Sequence, residues 1–134
     1  MVIRESIELP GFAHANPVPV ASRIGPFLAT GVLTGRDPVT RAMPETLADQ
    51  CTNVFTHVRA VLAAADGSTD DILRMTFWLA EPGDRTALNR EWTDMFPERA
   101  HRPARQVVAA RLNGGALVHC DLLAVLKTPE AGER

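Results

Sequence analysis

The chain has 134 residues and a formal net charge of −2, with 46% hydrophobic and 22% charged residues. This length suits one domain, and the composition is that of an ordinary globular protein. There is no basic excess, no apolar run of membrane-spanning length and no signal-peptide pattern. We therefore expect a cytoplasmic protein that binds neither nucleic acid nor membranes. Two cysteines, Cys51 and Cys120, do not lie in a spacing typical of zinc or redox sites, and the sequence does not decide whether they form a disulfide.

Short strands and turns are predicted for the first part of the chain. Residues 2–8 predict a strand, and residues 20–24 and 27–33 predict a hairpin that turns at Gly25-Pro26. Gly31, inside this strand pattern, indicates a bulge or a place where backbone or ligand comes close.

The loop over residues 12–19 contains two prolines, which favour irregular backbone. Its polar residues His14 and Asn16 are candidates for ligand binding, because recognition residues often lie on loops. For Asn16, capping of a turn is at least as good an interpretation.

Two stretches have the apolar spacing of helices. From Pro44 to Gly67 the apolar residues recur every three or four positions, and His57 lies off this stripe, which predicts a solvated side chain. A second helix is predicted from a cap at Asp84 to a stop at Pro97. Residues 72–79, between the helices, predict a central strand. The expected buried residues of the helices are Leu47, Cys51, Val54, Phe55, Val58, Val61, Leu62 and Ala65, and then Leu88, Trp92, Met95 and Phe96.

We expect the chemistry in the last two strands, residues 102–112 and 116–126. The sequence Asn113-Gly114-Gly115 between them is typical of a tight hairpin turn. Alternation along strands puts Arg105 and Val107 on one face, and His119 and Asp121 on one face, so that a guanidinium and an ionisable pair would line one cleft. The alternative is that these charged residues are simply solvated, and the spacing by itself favours that alternative.

The predicted order is β-β-β-α-β-α-β-β, an α+β fold with a mixed sheet and two helices on one face. Residues 1–128 would form the single domain, and residues 129–134 a polar tail. Because the strands carry apolar residues on both faces, we expect partner subunits to cover the face without helices.

Several motifs are shared with a known family: the loop at residues 16–19, Gly25 with Thr30-Gly31, residues 50–54, residues 88–92 with 95–97, and Arg102-Pro103-Ala104-Arg105. In these motifs, over about residues 16–126, the chain resembles the RidA/YjgF/YER057c family of reactive-intermediate deaminases, also called the endoribonuclease L-PSP family. The resemblance implies a chorismate-mutase-like (YjgF-like) fold, a homotrimer with a barrel-like core, and ligand clefts between subunits.

The resemblance also implies a reaction. In characterised relatives the arginine that matches Arg105 binds the carboxylate of a 2-imino or 2-enamino acid, and water attacks the imine carbon to release ammonia and a 2-oxo acid. No metal or organic cofactor is implied. The remaining substrate-binding positions implied by the alignment are Asn89, Thr30, Gly31, Val18, Asn16 and Val107.

The chain departs from the family pattern where water is handled. His119 takes the place of a glutamate, Val18 of a tyrosine and Val107 of a cysteine, while Thr30 replaces a serine. We expect neutral His119 to act as acid and base. The alternative is that His119 is a structural residue at a subunit interface. Asp121 is the possible orienting residue.

The leading prediction is therefore hydrolytic deamination of a small imino or enamino acid. One alternative is a specialised enzyme of the same fold, for tautomerisation, cyclisation or deamination of a ring-cleavage product. The other is a trimer that binds a small carboxylate without catalysis. Ribonuclease activity is not expected, because the sequence has no basic groove or stacking surface.

Overall fold

The computed structural model describes residues 3–10 and 16–127. Its strands are short at the N-terminus and longer at the centre of the sheet. The elements are β1 (Glu5–Ile7), β2 (Ala21–Ile24), β3 (Phe27–Thr30), β4 (Leu33–Thr34), α1 (Leu47–Ala64), β5 (Ile72–Leu79), α2 (Thr86–Met95), β6 (Ala104–Ala109) and β7 (Val118–Val125), with single 3-10 turns at Thr69–Asp71 and Arg99–His101. The predicted order is confirmed with one addition, the two-residue strand β4.

All strands belong to one mixed sheet in the order β1-β2-β3-β7-β5-β6, with β4 pairing β7 beyond the end of β3. Neighbouring strands are antiparallel except β5 and β6, which are parallel. Because parallel neighbours need a crossover, α2 connects β5 to β6 across one face of the sheet.

Both helices cover the same face, as predicted, and the hydrophobic core lies between them and the sheet. Phe77 of β5 stacks on Phe55 of α1 at 5.7 Å between ring centroids and meets the edge of Trp92 of α2 at 6.3 Å. The predicted stripe residues of α1 and α2 are buried or partly buried in this core. We call this side of the sheet the helix face.

The predicted hairpin of the last two strands is wrong. β6 and β7 do not pair, because β5 lies between them and pairs with both. The turn at Asn113-Gly114-Gly115 does form, with positive φ at both glycines, but the connection passes over the end of β5. The turn residues predicted a reversal of the chain, and the chain does reverse there. The apolar strand β5 takes the central position between β6 and β7, because a buried strand needs a hydrogen-bonded neighbour at each edge.

The opposite side of the sheet, the open face, carries exposed apolar side chains. Phe27 pairs with Val125, and Ala29 with Leu123, on this face. Phe27 is 63% exposed and Leu73 is 60% exposed. A groove of about 260 Å³ runs among these residues, Ser22 and Ile24. No helix covers this face in the described part of the chain.

The prediction of a solvated His57 is wrong, because its side chain is only 3% exposed. Its Nδ1 donates to the carbonyl oxygen of Thr34 at 2.8 Å, so β4 covers this side of α1. The predicted strand over residues 27–33 stopped before Thr34, so no segment was expected to cover this side of the helix.

Both cysteines are buried free thiols, so no disulfide joins them. Burial raises the pKa of Cys51 to about 12, which leaves it in the protonated, unreactive form at neutral pH.

Within residues 3–10 and 16–127, no helix combines the length and apolarity needed to cross a bilayer. His14 and the predicted tail at residues 129–134 lie outside the described residues.

Candidate functional site

Arg105 is held on the helix face by two residues of α2. One Nη of its guanidinium donates to the side-chain oxygen of Asn89 at 2.9 Å. Its Cζ lies 5.0 Å from the centroid of the Trp92 ring, which is a cation–π contact. The plane and direction of the guanidinium are therefore fixed before any ligand binds.

The spacing of α2 explains this arrangement. Residues three apart share a helix face, so Asn89 and Trp92 are neighbours on one side of α2, and Arg85 is the residue just before its first turn. Trp92 is buried against the core, while Asn89 and Arg85 are exposed above it. Asn89 lies within α2, and its backbone N–H donates to the carbonyl oxygen of Arg85, the residue before the helix. Trp92 was predicted only as a core residue, and its spacing of three residues from Asn89 was the signal in the sequence for its contact with Arg105.

No carboxylate neutralises this site from within the described residues: neither Arg105 nor Arg85 forms an ion pair there. Partial burial, and secondarily the positive charge of Arg85, lower the pKa of Arg105. Arginine remains protonated even so, which leaves two guanidinium charges at one end of α2.

His119 and Arg105 lie on opposite faces of the sheet, so the prediction that they line one cleft of a single chain is wrong. Arg105 pairs with Met75, which is fully buried on the helix face. His119 pairs with Trp78, which follows the buried Phe77 and therefore points to the open face. The prediction failed because it assumed that β6 and β7 were direct neighbours.

His119 and Asp121 do share one face, the open face, as predicted. His119 lies between Thr34 of β4 and Trp78 of β5, and Asp121 pairs with Thr76. Burial lowers the pKa of the His119 imidazole, which favours its neutral form at neutral pH. Burial raises the pKa of the Asp121 carboxyl, and the positive charge of Arg74 opposes this shift.

The remaining predicted site positions do not gather around Arg105 within one chain. Val107 shares the helix face with Arg105, but packs against the core. The Thr30 hydroxyl accepts a hydrogen bond from the Leu122 backbone at 3.0 Å, so it continues the sheet where β3 turns away. A Cβ added to Gly31 would meet only ordinary contacts, at 3.7 and 3.8 Å.

In the loop before β2, Asn16 and Val18 are exposed. The Val18 backbone N–H donates to the Asn16 carbonyl oxygen at 2.8 Å, which makes a tight turn. Within one chain, none of these loop positions makes a hydrogen bond to Arg105.

The described residues contain no cluster of three or more His, Cys, Asp or Glu side chains placed to hold a metal ion. The side chains brought together around Arg105 are instead an amide, an indole and a second guanidinium. Positive charge and a planar fork of N–H donors are the features that suit an anion.

The sequence profile described as endoribonuclease L-PSP matches residues 14–126. The chain belongs to the RidA/YjgF family, also called endoribonuclease L-PSP. A RutC family protein of Haemophilus influenzae is 32% identical over 126 residues, which cover 85% of this chain and 95% of that protein. Fission yeast mmf1, a mitochondrial protein, is 30% identical over 101 residues, and the match covers 69% of this chain and 61% of mmf1.

Solved structures agree with this family membership. A structure titled as a putative endoribonuclease L-PSP from Entamoeba histolytica matches with a TM-score of 0.81 and 26% identity, covering 92% of this chain and all of that one. A Rid family protein from Yersinia pestis matches with a TM-score of 0.84, covering 92% of this chain and 100% of that one; at 23% identity it bears on the fold alone. The RidA-like fold predicted from the sequence is thus confirmed.

Proposed function

We propose that this RidA-family chain hydrolyses small 2-imino or 2-enamino acids to 2-oxo acids and ammonia. The observation that carries the proposal is Arg105, whose guanidinium is oriented by Asn89 and Trp92 and has no carboxylate partner in the described residues. A fixed guanidinium without a protein counter-ion is suited to bind a substrate carboxylate through two parallel hydrogen bonds.

The reaction asks little more of the protein than orientation and proton transfer. With the carboxylate on Arg105, water adds to the adjacent C=N carbon, which gives a tetrahedral carbinolamine. Neutral His119 takes a proton from the attacking water and returns it to the nitrogen. His119 then takes the proton of the carbinolamine hydroxyl and passes it to the amino nitrogen. The C–N bond breaks, ammonia leaves with this second proton, and the carbon becomes the carbonyl of the 2-oxo acid.

The proposed site lies between two copies of the chain, because Arg105 and His119 are on opposite faces of one sheet. A neighbouring copy that packs against the open face would bring its own Arg105 edge towards His119. The exposed apolar residues of the open face support such packing, and a closed ring of three copies is the arrangement we propose.

The first test measures imine loss directly. An amino-acid oxidase generates imino acids in situ, and the purified protein competes with semicarbazide, which traps the imine. We expect the wild type to suppress semicarbazone formation, Arg105→Ala to lose this effect, and His119→Gln to lower turnover more than substrate affinity. Since burial lowers the pKa of His119, wild-type turnover should fall on acidification.

Mixing the two variants tests the composite site. If one copy supplies Arg105 and the next supplies His119, co-refolded Arg105→Ala and His119→Gln chains recover activity in about a quarter of their sites. If no activity is recovered, either both residues act within one chain or one of them has no role in the reaction. Full activity of His119→Gln alone would end its assignment as acid and base, and binding of 2-oxo acids without any turnover would favour a carboxylate-binding trimer.

A further inference from the structure

We infer that Arg85 is a second anion-binding residue beside Arg105, and that the preferred substrate carries two carboxylates, as the imine of an acidic amino acid does. This inference rests on the proposed function, since it assigns the side-chain end of the same substrate. It concerns Arg85, a position to which the family resemblance gave no role.

Arg85 lies close in the fold to the residues that hold Arg105. The Asn89 backbone N–H donates to the Arg85 carbonyl oxygen at 2.8 Å, so the two residues are one helical turn apart. Arg85 is the residue immediately before α2, about 6 Å along the helix axis from Asn89. Asn89 binds the Arg105 guanidinium directly, so Arg85 lies one helical turn from a residue of the Arg105 site.

The Arg85 guanidinium is available for a ligand. Its Nε donates to the Pro82 carbonyl oxygen at 3.4 Å, and its two Nη groups make no hydrogen bond or ion pair with described residues. The adjacent Asp84 forms no ion pair with it among the described residues, and one Asp84 carboxylate oxygen accepts a hydrogen bond from the Thr86 backbone at 3.0 Å.

Two guanidiniums without a carboxylate partner repel each other when they lie close together. Partial burial is the first cause of the lowered pKa of Arg105, and the positive charge of Arg85 is the second. A substrate with one carboxylate relieves the charge of Arg105 only. A substrate with a second carboxylate on its side chain relieves both charges at once, and it gains the charge-assisted hydrogen bonds of a second fork. An apolar side chain in the same place would leave Arg85 unpaired.

The test compares acidic with neutral imines. Flavin oxidases generate the imines of D-aspartate and D-glutamate, and separately those of D-alanine and D-leucine, in the semicarbazide competition assay. Wild-type kcat/KM should be higher for the acidic pair. Arg85→Ala should lower the acidic-to-neutral ratio by roughly three- to tenfold, as expected for one partly exposed charge-assisted hydrogen bond. Arg85→Lys should restore part of that ratio.

Arg59→Ala is the matched control, because it removes the same charge from an exposed position on α1. It should leave the ratio unchanged. A wild type that prefers neutral imines, or an Arg85→Ala variant with an unaltered ratio, would overturn the inference while leaving imine hydrolysis in place.

A binding measurement separates this inference from the proposed function. Calorimetry compares 2-oxoglutarate with 2-oxobutyrate on the wild type and on Arg85→Ala. If no imine is hydrolysed, the proposed function fails, yet tighter, Arg85-dependent binding of 2-oxoglutarate would still support the two-carboxylate site. Equal binding of both oxo acids would overturn it.

Discussion

At Arg105 the side chain is ordered before the ligand arrives, and this matters for affinity. A free arginine side chain loses rotamer entropy when it binds a carboxylate, whereas Asn89 and Trp92 already restrict this one. The Pro-Ala-Arg motif made Arg105 predictable from the sequence. Its support from Trp92 was not, because a tryptophan at an apolar helical position is first interpreted as core, and Trp92 serves both purposes.

His57 gives a prediction about pH. Burial lowers the pKa of its imidazole, and this outweighs the hydrogen bond to Thr34 and the charge of Asp37, which act in the opposite direction. A histidine whose folded pKa lies below its unfolded value of about 6.5 stabilises the fold above that pH, and this contribution is lost as the pH falls through the folded pKa. The free energy of unfolding in urea should therefore be lower at pH 5.5 than at pH 7.5, at one fixed protein concentration.

The variant His57→Gln removes the titrating group and should reduce this pH dependence. His101→Gln serves as the control, because His101 is exposed on a surface turn. A wild-type stability that stays constant or rises between pH 7.5 and 5.5 would contradict the assignment.

At the scale of elements, α1 has a polar stripe beside its apolar one. Gln50, Asn53 and His57 recur at i, i+3 and i+7, and all three bind backbone of neighbouring segments. Gln50 donates to the carbonyls of Pro44 and Gly115 and accepts from the Leu117 backbone, Asn53 donates to the Gly35 carbonyl, and His57 donates to the Thr34 carbonyl. This stripe holds β4 and the Gly114-Gly115 turn in place, and β4 in turn flanks His119.

Apolar periodicity found α1 and α2, and the continuous apolar run predicted β5 at the bounds observed. The pairing of β6 and β7 was predicted wrongly because it depends on which distant strand lies between them, and local turn residues carry no information about that. The separation of β4 from β3 was missed for a related reason. The predicted strand over residues 27–33 included Leu33, but its interruption after Thr30 depends on β7 and on side chains of α1, which are distant in sequence.

The close contact between α1 and the segment after β4 depends on Gly35. A Cβ added at Gly35 would lie 2.6 Å from the Gln50 Cβ and 2.9 Å from the Gln50 Cα and carbonyl oxygen. Helix backbone cannot move aside easily, so Gly35→Ala should destabilise the protein by about 1–3 kcal/mol. Urea unfolding measures this as a lower midpoint with an unchanged slope.

Gly83→Ala is the comparison, since a Cβ there has no neighbour within 4 Å. It should change the free energy of unfolding by less than about 0.5 kcal/mol. Equal effects of the two substitutions would show that the contact with α1 is not what requires glycine at position 35.

At the scale of the whole molecule, the open face divides into a polar and an apolar half. His119, Asp121 and Thr76 occupy the polar half, and Phe27, Leu123 and Val125 are among the exposed residues of the apolar half. A monomer rarely leaves so many large apolar side chains together in water. Apolar residues on both sides of the strands predicted this exposed face. The separation of Arg105 and His119 onto opposite faces of the sheet could not be predicted in the same way, because it depends on the order of the strands.

The oligomeric state is therefore the most direct test of how the site is assembled. We expect light scattering to give the wild type a mass of three times the 14.6 kDa of one chain. Phe27→Asp puts a charge in the middle of the apolar half, where burial between copies would cost several kcal/mol, so the assembly should dissociate. Val39→Asp is the matched control, because Val39 is 85% exposed in the loop before α1, and it should leave the mass unchanged.

Activity should follow the mass of the Phe27→Asp variant. Phe27 lies on the open face and takes no part in holding Arg105, so loss of imine hydrolysis on dissociation would arise from separating Arg105 from the neighbouring His119. A dissociated variant that hydrolyses imines at the wild-type rate would show that one chain suffices. A wild type that scatters as a single chain would remove the composite site, and the oriented guanidinium of Arg105 would then have to work with groups of its own face.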